Sequence, residues 1–333
     1  MFFMQNKKSN DTERGLFMEF SHVPVLLAET MQGLAVRPDG IYIDGTVGGA
    51  GHSREIASRL GQNGLLIGLD RDLDAVETAT ERLQGFSAKV IHSNYSEIRQ
   101  VLQDLQIPGV DGVLLDLGVS SHQLDTAERG FSYHADAKLD MRMSQEGLSA
   151  YDVINTWDEQ ALRKILWEYG EEKFAGNIAR QIVQTRQTAP VETTGELAEL
   201  IRQAVPAKYR REKNPCKKTF QAVRIAVNDE FGHLKTGLTA AFDCLKLGGR
   251  LAVITFHSLE DRIVKQQFAQ WCAGCVCPPD FPQCVCGRVP RARLIFRKPV
   301  TASSQELEFN SRSHSAKLRV LEKVEKRGDE RFS

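Results

Sequence analysis

Net charge is the first thing this chain lacks. Across 333 residues, 43 Lys and Arg offset 43 Asp and Glu. Bulk charge is thereby excluded as a basis for nucleic-acid binding, and any such contact must come from a local basic patch. Long apolar runs are also missing: no window approaches the roughly 18 uninterrupted apolar residues of a membrane span. The first 14 residues are polar and lack the apolar core of a signal peptide. Residues 1–19 therefore read as a disordered extension, with Met18 as an alternative start, and 325–333 as a flexible tail. A strict G-x-G-x-x-G and any internal repeat are absent too. Of seven cysteines, five fall between Cys272 and Cys286. Without a secretory signal, that cluster points to metal or free thiols in a reducing cytosol rather than to disulfides. A cytoplasmic protein with no membrane partner is expected.

What is present is organised around Gly40 to His52. An apolar run, Ile41 to Ile43, ends in Asp44, and glycines crowd the next seven residues before a helical pattern with Ile56, Ala57 and Leu60 on one face. Strand, glycine turn, helix is a ligand cradle: the backbone turns tightly, and the helix start offers unpaired N–H groups. A second strand, Gly64 to Leu69, ends in Asp70, the position that hydrogen-bonds ribose hydroxyls in dinucleotide folds. A third, Ala88 to His92, leads to Ser93-Asn94-Tyr95, and a fourth, Val110 to Leu115, leads to Asp116 and the loop through Ser121. Polar residues at four successive strand C-termini mark the ligand edge of an open parallel sheet.

Intervening helices are predicted over His52–Leu60, Leu73–Leu83 (capped by Asp72) and Ser96–Leu105, with a lead-in helix over Ser21–Gly33. The alternation stops at about Leu124. Residues 124–215 carry helical periods, among them Tyr151–Asn155, Glu159–Tyr169, Phe174–Thr185 and Thr194–Val205 with Thr194 as cap. This is an all-helical insertion, a substrate-recognition subdomain, splitting a core of residues 20–123 and 216–324. Its far end, from Lys208 to Lys218, is basic: Lys208, Arg210, Arg211, Lys213, Lys217 and Lys218 suit phosphates, with a solvated loop as the plain alternative. One long helix is predicted over Phe220–Leu245, then a strand over Arg250–Phe256 ending in His257-Ser258, a helix over Leu259–Trp271, and an antiparallel edge from Leu294–Lys298 and Lys317–Lys323. The fold class is α/β, Rossmann-like.

Two cofactors share the first half of this layout. A hydride-transfer enzyme would want a His, Lys or Tyr set for a carbonyl, and no such set stands out. Methyl transfer is favoured: Asp116 suits an amine or base partner, and the Gly118–Ser121 loop suits an acceptor nucleotide. A nicotinamide-dependent oxidoreductase and a non-enzymatic RNA-binding assembly factor, using the basic stretch and the cysteine ribbon, remain the alternatives.

Several blocks occur in order: Asp-Gly-Thr-Val-Gly-Gly-Ala-Gly-His-Ser (44–53), Leu-Asp-Arg-Asp (69–72), Leu-Leu-Asp-Leu-Gly-Val-Ser-Ser (114–121), Glu-Arg-Gly-Phe-Ser (128–132), Leu-Asp-Met-Arg-Met (139–143), Tyr-Gly-Glu-Glu (169–172), Thr-Phe-Gln-Ala-Val-Arg-Ile (219–225), Phe-His-Ser-Leu-Glu-Asp-Arg-Ile-Val-Lys (256–265) and Ser-Ala-Lys-Leu-Arg-Val (315–320). From about Phe20 to Val324 the chain resembles the ribosomal RNA small subunit methyltransferase H (MraW) family. The resemblance implies a class I methyltransferase core, S-adenosylmethionine as donor, and the N4 amine of a 16S rRNA cytidine near the decoding centre as acceptor, met within the small ribosomal subunit.

By the same resemblance, cofactor contacts fall on Gly49, Ala50, Gly51 and His52, on Asp70 at the ribose, on Tyr95 beside the adenine, and on Asp116 and Gln123. Ala50 stands where some relatives have glycine, and His122 where proline is common. For the chemistry, in-line positioning of amine and sulfonium is worth roughly 7–11 kcal/mol when geometry is ideal, and no thiol adduct is needed. Asp116, Ser120 and Ser121 are the candidates to hold a base swung out of its stack, flanked by His257, which has a structural alternative. Cys275, Cys277, Cys284 and Cys286 offer the ligand number of a structural zinc, with reduced thiols as the other reading. Arg288, Arg291, Arg293 and Arg297 suit phosphates or an exposed strand face equally well.

Overall fold

The computed structural model describes residues 24–212, 214–278 and 285–325. Residues 1–19 and 326–333, and the site candidates Lys213 and Cys284, lie outside the described residues.

Helix α1 (Leu27–Leu34) leads into a sheet whose strands are short apolar runs: β1 (Ile41–Asp44), β2 (Leu65–Asp70), β3 (Ala88–His92), β4 (Val110–Asp116), β5 (Leu245–Thr255), β6 (Ala292–Leu294) and β7 (Lys317–Lys323). Their order is β3-β2-β1-β4-β5-β7-β6. The first five are parallel, and β7 runs antiparallel between β5 and β6. Successive side chains point to opposite faces, so Ile43, Ile67 and Val113 join one core while Tyr42, Leu66 and Leu114 join the other. Both faces are covered, which is why these strands read as continuous apolar runs rather than alternating ones.

Helices α2 (Gly51–Ser58), α3 (Leu73–Arg82) and α4 (Ile98–Asp104) are the crossovers. After β4 and the short α5 (Ser121–Asp125) come α6 (Ala150–Thr156), α7 (Glu159–Glu168), α8 (Ala175–Thr185), α9 (Thr194–Ala204) and α10 (Ala207–Glu212). These elements bury a third core of their own, with Val153, Leu162, Ile178, Ile182, Leu197 and Ile201. Helix α11 (Cys216–Asn228) packs Cys216, Phe220 and Val223 into that same cluster.

The helix starts follow their caps. Ser149 and Asp152 close a capping box on α6, and Asp158 caps α7. For α9 the cap is Thr193, boxed with Glu196, and not Thr194 as the sequence suggested. The Thr194 hydroxyl is turned away, donating to Ala135 O and accepting from Ala137 N–H. The long helix predicted over Phe220–Leu245 is broken in two, α11 and α12 (Glu230–Cys244), because Asp229 adopts a left-handed conformation at φ 44°, which Asp tolerates better than most residues. Strand β5 begins at Leu245 rather than at Arg250, with a register shift against β4 between Val110 and Gly112. Helices α13 (Ser258–Cys272) and α14 (Ser304–Phe309) complete the chain. Among the described residues no helix is long and apolar enough to cross a membrane.

Candidate functional site

The glycine turn is held from below by Asp44, 1% exposed at the end of β1. One carboxylate oxygen accepts from Ser53 Oγ at 2.7 Å and the other from Thr46 N–H at 3.1 Å. Burial, with Asp70 nearby, pushes its pKa up to about 6. Beyond it the backbone is left-handed at Gly48 (φ 46°) and at Ala50 (φ 61°). Glycine takes that conformation freely, whereas alanine pays about 1–2 kcal/mol. The methyl group at Ala50 is thus a backbone matter as well as a steric one. Between them, Gly49 O accepts from Arg82 Nη1 at 2.8 Å. Helix α2 starts at Gly51 with no side chain capping its first turn.

Asp70, at the tip of β2, ties this turn down: its carboxylate accepts from Gly48 N–H at 2.9 Å and from Asp72 N–H at 3.0 Å. Burial raises its pKa. Asp72, 2% exposed, collects partners from across the chain. Gln123 Nε2 donates to it at 2.7 Å and Arg129 Nη2 at 3.0 Å. Arg129 also reaches Asp74 and the carbonyls of Arg142 and Met143, each at 3.0 Å. Gln123 uses the other end of its amide to accept from Ser120 N–H at 3.1 Å, while Ser120 Oγ accepts from Gln123 N–H at 3.2 Å. The β4 loop is therefore fastened to the β2 tip. Sequence reading assigned Asp72 only a capping role and gave Arg129 none. The available signal was their place in the Leu-Asp-Arg-Asp and Glu-Arg-Gly-Phe-Ser blocks.

Asp116 closes the other side. Its N–H donates to Thr46 Oγ1 at 2.7 Å, and its Oδ2 lies 3.5 Å from His52 Nδ1. His52 Nε2 is 3.0 Å from Val25 O. A carbonyl only accepts, so Nε2 carries the proton and Nδ1 presents a lone pair to Asp116. Burial lowers the His52 pKa to about 4, and burial together with Asp44 and Glu260 raises that of Asp116 well above its ordinary value. Both shifts favour a neutral imidazole facing a protonated acid. Oδ1 of Asp116 is buried and, among the described residues, has no hydrogen-bond partner, a cost of about 1–3 kcal/mol that a ligand donor would relieve.

Tyr95 lies under α12. Its ring occupies the space over Gly237, where a Cβ would come within 2.3 Å of Cδ2, so only glycine allows the approach. Burial, with Glu230 and Glu260, raises its pKa. His257 is engaged elsewhere than at Asp116: Nδ1 accepts from Glu260 N–H at 3.4 Å, capping α13, and Nε2 sits 3.1 Å from Glu260 Oε1. The side chain of Ser121 lies outside the described residues.

The basic candidates occupy a separate stretch. Lys208, Arg210, Arg211 and Lys217 are exposed, while Lys218 Nζ donates to Glu171 O at 2.7 Å. Tyr209 meets Phe174 edge-on at 5.0 Å. Phe174 also lines a cleft of about 740 Å³ between α7 and α8, with Arg163, Lys164, Lys173, Arg180 and Trp167 around it. Trp167 is 62% exposed. Sequence reading passed over this cleft, because Trp167 fits the helical pattern of α7. Of the late arginines, Arg291 pairs with Asp243 at 3.2 Å and Arg293 with Glu322 at 2.8 Å. Cys275, Cys277 and Cys286 come together, each offering a sulfur within 4.8 Å of the others.

A Rossmann-like sheet with an antiparallel seventh strand, and a glycine turn clasped between two acid-tipped strands, define an α/β protein with a nucleotide-type site at the strand tips. Comparison with known proteins makes this specific. The chain belongs to the MraW methylase family, whose profile matches residues 19–324. It is similar to the ribosomal RNA small subunit methyltransferase H of Brevibacillus brevis, at 55% identity over 311 residues covering 92% of this chain and 99% of the relative. Proteins of the same name from Paenibacillus sp. (54% identity, 92% of this chain, all of the relative) and Symbiobacterium thermophilum (54% identity, 92% and 98%) match similarly.

Proposed function

We infer that this protein transfers the methyl group of S-adenosylmethionine to the N4 amine of a cytidine in 16S rRNA near the decoding centre. The observation that carries the reading is Oδ1 of Asp116, a buried acceptor beside the glycine turn that has no partner among the described residues. The names of the relatives, at 52–55% identity, supply the substrate class.

The residues fit the donor. The left-handed turn at Gly48–Ala50 carries no side chain at Gly48 or Gly49, and Asp70 stands at the ribose position of the fold. Gly49, Ala50, Gly51 and His52 line the turn, and Tyr95 and Gln123 lie at the third and fourth strand tips. Bound there, S-adenosylmethionine supplies a methyl group already activated on a sulfonium. The chain does the rest by placement. Asp116 Oδ1 accepts an N–H of the acceptor amine, which points the nitrogen at the methyl group, and the proton the methylated amine sheds passes to solvent. Ser120 keeps the loop in place through its cap on Gln123.

The rRNA is held away from its reacting base by Lys208, Arg210, Arg211, Lys217 and Lys218 together with the α7–α8 cleft, joined through the Phe174–Tyr209 contact. Cations follow the backbone while Trp167 stacks on an unpaired base. Transfer of a tritiated methyl group to free 16S rRNA and to 30S subunits, followed by nucleoside analysis, tests the reading. N4-methylcytidine from either substrate supports it; label in another nucleoside, or none, refutes it.

A further inference from the structure

The ribbon between α13 and β6 belongs neither to the acid-tipped edge nor to the basic cleft. Its base is fixed: Arg291 N–H donates to Trp271 O at 2.8 Å, and Trp271 stacks on Phe242 with centroids 4.2 Å apart. Beyond that base, among the described residues, apolar burial gives little support. Val276 and Val285, neighbours of the thiols, are 60% and 75% exposed.

The thiols nevertheless converge. The sulfurs of Cys275, Cys277 and Cys286 lie within 4.8 Å of one another, and those of Cys275 and Cys286 are 3.7 Å apart. Two sulfurs on one tetrahedral zinc, each at ~2.3 Å, stand about 3.8 Å apart. A disulfide would bring them to ~2 Å. Backbone amides also aim at the sulfurs: Cys277 N–H at Cys275 Sγ and Val285 N–H at Cys277 Sγ, both 3.4 Å. Such donors stabilise a thiolate over a thiol and orient it as a ligand.

We propose that Cys275, Cys277 and Cys286 hold a structural zinc ion that closes this ribbon at the β6–β7 edge of the sheet. They take three of the four positions of a tetrahedral ion, and their thiol protons pass to solvent on binding. No residue of the glycine turn or of the β2 and β4 tips takes part. The ion orders a segment with little core of its own, as metals do in small folds.

The test uses the full chain, grown with zinc and purified under reducing conditions without chelator. Elemental analysis should find one zinc per chain. After metal removal, added Co²⁺ should give the sulfur-to-cobalt charge-transfer absorption of a thiolate site. The C275S/C286S double variant should lose both signals, and protease should then cut between Trp271 and Arg291, while C244S should keep zinc and resistance. Wild-type protein that holds no zinc and gives no cobalt–thiolate band overturns the proposal. So does zinc retained by the double variant, which would place the ion elsewhere, with Glu230, His257 and Glu260 the other convergent group. Should the double variant misfold, the wild-type metal content and cobalt spectrum decide alone.

Discussion

Arg129 and Asp72 meet at 3.0 Å with only 12% and 2% of their side chains exposed. The contact joins the start of the helical insertion to the tip of β2, and through Gln123 it also reaches the β4 loop. An ion pair so placed makes the cofactor edge depend on an element outside the sheet.

Replacing Arg129 by methionine strands the Asp72 carboxylate in a buried site. Removing one partner of a buried pair costs about 3–5 kcal/mol, and a loss of that size should appear in urea unfolding. Affinity for S-adenosylhomocysteine, read by titration calorimetry, should fall as the β2 and β4 tips loosen. Adding Asp72→Asn should restore part of the stability. Unchanged stability in the single variant would show that the pair contributes nothing.

Asp116→Ala removes both the proposed acceptor of the amine and the acid facing His52. Methyl transfer should be lost while circular dichroism and the unfolding midpoint show a folded chain. Turnover at the wild-type rate would refute the placement of the acceptor at Oδ1.

Stability should carry the pH signature of a histidine buried neutral. The folded pKa of His52, about 4, lies below the ordinary 6.5. Its contribution is therefore complete above pH ~6.5 and is lost as pH falls toward 4, on the order of 3 kcal/mol in all. Asp44 works in the opposite sense: its folded pKa is raised to about 6, so its contribution is complete below 3.8 and fades as pH rises through 6. The two partly cancel in the wild type. Comparison with His52→Gln isolates the first: the wild-type advantage in chemical denaturation should shrink as pH drops from 6.5 to 4. An advantage that stays constant over that window would contradict a neutral, buried imidazole.

Trp167→Ala should weaken binding to 16S rRNA by about 1–3 kcal/mol, the worth of one stacked base. The salt dependence of binding should hardly change, because no cation is removed. Lys164→Ala, by contrast, should reduce the salt slope by about one phosphate contact. Equal affinity of wild type and both variants would take the α7–α8 cleft out of the RNA path.

The alternation of strand, turn and helix was legible because it is written in neighbouring residues. Ile41–Asp44, the left-handed Gly48 and the Asp72 cap are set by side-chain period, by a missing Cβ and by a carboxylate beside its own N–H groups. The acid tips Asp70 and Asp116 follow, since a strand's last residue is placed by the strand. Local patterns misjudged Thr194, whose hydroxyl is claimed from Ala135, and the single helix through Asp229, where Asn228 turns inward to bind Met141 O and Met143 N–H.

Which groups surround those acids was decided only by the folded chain. Arg129 finds Asp72 across 57 positions, His52 takes its tautomer from a carbonyl 27 residues earlier, and Cys275 meets Cys286 over 11. Sequence fixes the kinds of group available at such distances. Which ones meet depends on how the helices pack and where the loops return, and with that the burial and neighbouring charges that raise the pKa of Asp116.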